Sequence, residues 1–326
     1  MRKVIMDVDT GSDDAVAILC AVLSGQLDVV GICTECLLPI QVTTDNTLKV
    51  LHLLGSKIPV YRGSHQAMVQ NLNPLRKRKK VFNQPMVVDG KEVRMHMPFT
   101  LPLGDERPQE KDAASFYADY LRSSKEKVTI VLTGPMTNLA LALLMEPSIV
   151  DNIEELVIMG GGYQMSNVTL CAESNVFRDP EAAQRVLNCG AKITLLPLDA
   201  THSASLNLAH QQRIQALGTP FSDFTVELME SRRAVYDRSQ PLADETGSLV
   251  PLHDVICIAY LLRPEVLTLI RQCHCQVSCS DGPADGQTII DNRSYTAPPN
   301  VHMALQADRD VLADFLVETL GKGGKA

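Results

Sequence analysis

The stretch Val4-Ile5-Met6-Asp7-Val8-Asp9-Thr10-Gly11-Ser12-Asp13-Asp14-Ala15-Val16-Ala17-Ile18-Leu19 constrains the fold more than any other. An apolar run reads as a buried strand and stops at two acids. Ala15, Ile18, Leu19, Val22 and Leu23 then recur at helical spacing. The strand's carboxyl end therefore faces the start of a helix, with four carboxylates between Asp7 and Asp14. Alternation along a strand puts Asp7 and Asp9 on one side. Ser12 is the expected N-cap, with Asp13 and Asp14 in the first turn. Any one of these acids could simply favour the helix macrodipole. Together they repel one another unless protons or a cation intervene. An all-oxygen cluster suits a hard divalent ion such as Ca2+ or Mg2+.

The order of the remaining elements predicts an α/β fold: one open, mostly parallel, doubly wound (Rossmann-like) sheet with extra helices and a small C-terminal strand extension. Strands are expected at residues 28–34, 58–61, 128–132, 155–159 and 193–196. Helices are expected at 43–54, 111–121, after Pro135, after Asp179-Pro180, over 206–236 with a break at Gly218, at 251–262 and at 311–320. Short strands near 273–278, 287–291 and 301–306 form the extension. Residues 1–326 read as a single domain, interrupted by a variable loop at about 63–109 where periodicity fails. That loop carries the basic run Arg76-Lys77-Arg78-Lys79-Lys80. Residues 163–178 read as a polar loop.

A net charge of −8 argues against nucleic acid as a partner. No stretch approaches the roughly 20 apolar residues of a membrane span. Met1-Arg2-Lys3 is basic, but Asp7 and Asp9 break the run behind it, so no signal peptide is expected. Nine cysteines then point to reduced thiols and a cytoplasmic location. Neither Cys33-Thr34-Glu35-Cys36 nor the group Cys273, Cys275 and Cys279 has zinc-site spacing.

Asp7 to Ala15 resembles the DxDxGxDDA signature of the inosine–uridine preferring nucleoside hydrolases. Three further stretches agree in order: Thr133-Gly134-Pro135-Met136-Thr137-Asn138, then Asn167 with Glu173-Ser174-Asn175 and Asp179-Pro180-Glu181, then His253-Asp254. The resemblance implies one Ca2+ held by Asp9, Asp14, the Thr133 carbonyl and Asp254, with the ribose diol and a water completing its shell. It implies that Asp13 and Asn175 hold the diol, that Asn167 and Glu173 face the 5'-hydroxyl, and that Met159 packs under the sugar. Asp9 is then the general base and His253 a candidate general acid at the leaving base. The implied substrate is a small ribonucleoside, and the implied assembly a homo-oligomer, dimer or tetramer.

The chain departs from the family pattern in two places. Glu35-Cys36-Leu37-Leu38-Pro39 stands where members carry a Gly-Asn pair, and residues 64–105 lack the His-Gly-x-Asp-Gly-Leu-Gly-like loop. The chain also has no Trp to sandwich a purine, leaving Tyr236 and Phe82 as stacking candidates. Two other readings follow. One is a non-catalytic nucleoside or ribose binder with an altered sugar wall. The other is a phosphatase of the haloacid dehalogenase type, in which Asp7 of Asp7-Val8-Asp9-Thr10 would be the nucleophile.

Overall fold

The computed structural model describes residues 1–70, 72, 85–88, 90–293 and 297–322. Its central strands are β1 (Arg2–Val8), β2 (Leu27–Thr34), β3 (Val60–Arg62), β4 (Val128–Leu132), β5 (Ile153–Met159), β6 (Ile193–Leu196), β7 (Leu267–Val277), β8 (Thr288–Asp291) and β9 (Val301–Ala307). They form one sheet in the spatial order β8-β7-β9-β6-β5-β4-β1-β2-β3. Pairing is parallel from β3 through to β9, and β7 joins antiparallel to β9 and β8. The chain starts at β1, winds outward to β3, and returns to β4 on the other flank of β1. The strand order thus reverses between β1 and β4, where open α/β sheets bind ligands.

The helices are α1 (Ser12–Leu23), α2 (Ile40–Leu53), α3 (Ala113–Ser123), α4 (Thr137–Met145), α5 (Ser174–Arg178), α6 (Pro180–Leu187), α7 (Leu198–Ser203), α8 (Leu208–Gln215), α9 (Pro220–Ser239), α10 (Val255–Leu262) and α11 (Arg309–Gly321). Alternation along β1 divides the core. Val4, Met6 and Val8 join apolar residues of α1, α9, α10 and α11, while Ile5 joins those of α3, α4 and α6. Both faces of the sheet are covered, so its parallel strands are mostly apolar on both sides, with buried exceptions at Asp7 and Glu155. Among the described residues no helix is long and apolar enough to cross a membrane.

Several expectations shift. α1 starts at Ser12, so its N-cap is Gly11 rather than Ser12, and the Gly11 N–H donates to Asp14 Oδ2 at 2.9 Å. α2 begins at Ile40, directly after Pro39, earlier than its apolar spacing indicated. The 163–178 loop contains α5, whose end is capped by the Glu173 carboxylate rather than marked by periodicity. β7 runs for 11 residues, because its exposed half lacks an alternating signal. Within 63–109 a small hairpin pairs Met86–Val88 with Lys91–Val93. The basic run 76–80 and Phe82 lie outside the described residues.

Candidate functional site

The carboxyl ends of β1, β4 and β5 and the starts of α1, α5 and α10 surround one pocket. Asp9, Asp13, Thr133, Met159, Asn167, Glu173, Asn175, His253 and Asp254 all line it. Its inner compartment, about 70 Å³, is too small for a whole nucleoside. An outer compartment of about 280 Å³ shares Leu37, Met95, His96, Asn167, Ser174 and Tyr236 with it. Their combined space reaches the lower range of small-molecule sites.

Asp13, Asp14 and Asp254 each offer an oxygen within 4.8 Å of the others, and all three are buried. Burial, and then the neighbouring charges, push Asp14 and Asp254 toward protons or a cation. Burial and the Asp13 charge raise Asp14 to about 6. Burial, then Asp13 and Asp14, hold Asp254 well above the carboxylate range. Asp9 is raised by burial and then by the Asp14 charge. The donor set is oxygen only, and Arg232 balances one of its three carboxylates, which leaves a set that fits a hard divalent cation. Thr133 adds its hydroxyl, which donates to Asp14 Oδ1 at 2.7 Å, and a main-chain oxygen that accepts Asn175 Nδ2 at 3.0 Å.

Asp7 does not share this site. β1 ends at Val8, so the two-residue alternation no longer applies at Asp9, which lies on the turn beyond it. Asp7 instead accepts hydrogen bonds from Asn138 Nδ2 and Tyr117 Oη, each at 3.0 Å, under α3 and α4. Glu35, which stands in the altered wall, belongs to the same buried group and accepts the Asn138 N–H at 2.7 Å. Burial, then the Asp7 charge, raises Glu35 well above its ordinary range.

Glu173 accepts the N–H groups of Gly161, Asn175 and Val176, which fixes the glycine turn after β5 and the start of α5. Asn167 accepts the Ser174 N–H at 2.9 Å. Both residues line the pocket while already holding its wall.

Four features were invisible in the sequence. Arg232 on α9 is 1% exposed and donates through Nη1 to Asp13 Oδ1 and Ser12 Oγ, each at 2.8 Å, and through Nε to the Pro251 carbonyl at 2.9 Å. Removing one member of such a buried pair costs about 3–5 kcal/mol. Arg178 donates to the Cys36 and Leu37 carbonyls and so pins the segment that replaces the Gly-Asn pair. His96 arrives from the long loop and accepts the Ser12 N–H at 3.4 Å. A Cβ at Gly11 would lie 2.0 Å from His96 Nδ1, so any side chain at that motif position must displace the His96 ring. Finally, His253 is embedded in a chain of hydrogen bonds. Its Nδ1 meets Thr201 Oγ1 and its Nε2 meets Tyr236 Oη, both at 2.7 Å. Thr201 Oγ1 donates to the Leu198 carbonyl, so it accepts from Nδ1–H, and Nε2 accepts the Tyr236 hydroxyl. Burial and then the Arg232 charge drive His253 well below its ordinary range. Tyr236, a stacking candidate from sequence, lines the pocket with its hydroxyl turned to His253 and the Arg232 guanidinium 5.7 Å from its ring centroid.

A doubly wound sheet with a buried acidic pocket at its switch point, ringed by amide and carboxylate side chains, defines an α/β protein with a polar small-molecule site. The model of the inosine-uridine preferring nucleoside hydrolase family matches residues 4–314, and the chain belongs to that family of N-glycosidases. It is 34% identical over 325 residues to the pyrimidine-specific ribonucleoside hydrolase RihA of Escherichia coli O1:K1 / APEC, with 97% of each chain covered. The RihA of Escherichia fergusonii matches to the same extent, 34% over 325 residues and 97% of each. Among solved structures, the plant nucleoside hydrolase PpNRh1 superposes with a TM-score of 0.83, 26% identity and 98% of each chain covered. The purine-preferring ribonucleoside hydrolase from Gardnerella vaginalis superposes with a TM-score of 0.81, 26% identity and 100% of each chain covered. The phosphatase reading falls with these findings, since its nucleophile would be the sequestered Asp7.

Proposed function

We propose that this chain is a Ca2+-dependent hydrolase of the N-glycosidic bond of ribonucleosides of the inosine–uridine type, releasing ribose and free base. The observation that carries the reading is the meeting of Asp254 with Asp13 and Asp14, from opposite ends of the chain, in one buried oxygen cluster. Asp9, Asp14, Asp254 and the Thr133 carbonyl would hold the cation. Asp13 is assigned to the sugar because Arg232 already neutralises it, which makes it the weakest cation ligand of the group. When bound, Ca2+ offsets the clustered charge and makes a nearby water more acidic.

Asp13 and Asn175 orient the ribose diol, Asn167 and Glu173 face the 5'-hydroxyl, and Met159 packs beneath the ring. A water oxygen bonds to C1' as the C1'–N bond breaks. The electron pair of that bond passes to the base, and Asp9 takes the water's proton. Carboxylates around the sugar stabilise the positive charge that develops there. His253 positions the Tyr236 hydroxyl at the base end, the two being joined by a 2.7 Å hydrogen bond. That all nine cysteines are free thiols supports a reducing, cytoplasmic setting. The assembly is read as a homodimer or homotetramer, measurable by light scattering.

The test is release of reducing sugar from uridine and inosine by metal-stripped protein reloaded with Ca2+ or Mg2+. Turnover with Ca2+ and little with Mg2+ is expected. No release from either nucleoside by folded, calcium-loaded protein ends the catalytic reading. Ribose binding in that case would support a non-catalytic binder instead.

A further inference from the structure

Breaking the glycosidic bond leaves an electron pair on the base, so the base end of the pocket needs a donor for it. The hydroxyl of Tyr236 and both nitrogens of His253 are engaged with one another and with Thr201. Arg232 lines the same pocket, and three of its donor contacts are spent on Asp13, Ser12 and Pro251. Its Nη2 is buried and has no hydrogen-bond partner among the described residues. A buried guanidinium nitrogen left unpaired is costly, and a substrate acceptor would relieve it. Aimed at the sugar, a cation would oppose the positive charge developing there. Aimed at the base, it would favour the negative charge developing there.

We propose that Arg232 recognises the leaving base, its Nη2 donating to the carbonyl oxygen on the ring carbon beside the glycosidic nitrogen of a pyrimidine. This rests on the nucleoside hydrolase reading above. In a pyrimidine that oxygen shares the departing electron pair by resonance, so the hydrogen bond strengthens as the bond breaks. In a purine the corresponding acceptor is a ring nitrogen held in a fused second ring, which sits differently and takes less of the charge. One guanidinium thereby joins the carboxylate that grips the sugar to the group that leaves, and favours pyrimidine ribonucleosides over purine ones.

The experiment compares kcat/KM for uridine, inosine and 4-nitrophenyl β-ribofuranoside, whose leaving group has no such oxygen and needs little help to depart. Any loss through Asp13 is common to all three and cancels in their ratios. In Arg232→Gln the uridine to nitrophenyl riboside ratio is expected to fall about 10- to 100-fold, the scale of one charged hydrogen bond. The uridine to inosine ratio is expected to fall in the same direction. Arg232→Lys keeps charge and length but not the fork, and is expected to lower the first ratio about fivefold or more. Thermal melting identifies which variants are folded, and the lysine variant decides the matter if the glutamine one is not. Ratios that stay at the wild-type value in a folded variant overturn the assignment, whether or not all rates drop together. A wild-type protein inactive on all three ribosides would instead refute the hydrolase reading itself.

Discussion

Replacing Asp254 by Asn separates repulsion in the acidic cluster from cation binding, because the two effects have opposite signs. Asp254 is the N-cap of α10, yet its side chain makes no capping hydrogen bond, so the substitution removes none. Its carboxylate shares a 4.8 Å cluster with those of Asp13 and Asp14. Two unit charges at that separation cost about 3 kcal/mol at an effective dielectric of about 20. Partial protonation caps the penalty, and Asp14, raised to about 6, accounts for part of that relief. An acid whose folded pKa is raised loses stability as pH climbs from the ordinary carboxylate range through that raised value. Metal-free wild type is therefore expected to weaken between about pH 4 and pH 8, and Asp254→Asn to weaken less. At pH 8 without metal the variant should be more stable by about 1–3 kcal/mol in urea unfolding. Saturating Ca2+ reverses the order. At 100 times its Kd, Ca2+ adds about 2.7 kcal/mol to wild type and much less to the variant. A metal-free variant that is less stable than wild type at pH 8, or that gains as much from Ca2+, would refute the cluster as the cation site.

Three further outcomes are expected. His202 is buried beside His253, has no hydrogen-bond partner for either ring nitrogen among the described residues, and is lowered to about 4 by burial and then by the Arg232 charge. A base with a lowered folded pKa costs stability as pH falls from its unfolded value near 6.5, up to about 3 kcal/mol by pH 4. His202→Phe should flatten that part of an acid-unfolding curve, and an unchanged slope would count against the assignment. Gly11→Ala forces a methyl group against His96 Nδ1. It should lower Tm by several degrees and sharply reduce ribonucleoside turnover, whereas near-wild-type values for both would show that the loop carrying His96 yields freely. Tyr236→Phe removes the hydroxyl that links His253 to the pocket, and should lower kcat for uridine about 10- to 100-fold with little change in KM. A change confined to KM would place Tyr236 in binding alone.

The sequence alone determined the parts that depend on local order. Apolar runs, glycine turns and helix-start residues repeat along the chain at the spacing of a doubly wound sheet, and the winding rule then places Asp9, Thr133 and Met159 at neighbouring strand ends. The quoted motif positions Asp9, Asp13, Thr133, Asn167, Glu173, Asn175, His253 and Asp254 line one pocket. What only tertiary structure decided is where side chains pair across long separations. Asp7 and Asp9 part company because β1 stops at Val8 and releases Asp9 from its alternation. Arg232 gave no signal on α9, since a single cation on a polar helix reads as a solvated residue until the fold sets it against Asp13, 219 positions away. His96 and Arg178 fill and brace the altered wall from segments with no periodicity. Local sequence carries backbone preference and hydrophobic phase, whereas buried polar partnerships are settled only when distant elements pack and each desolvated charge must find its complement.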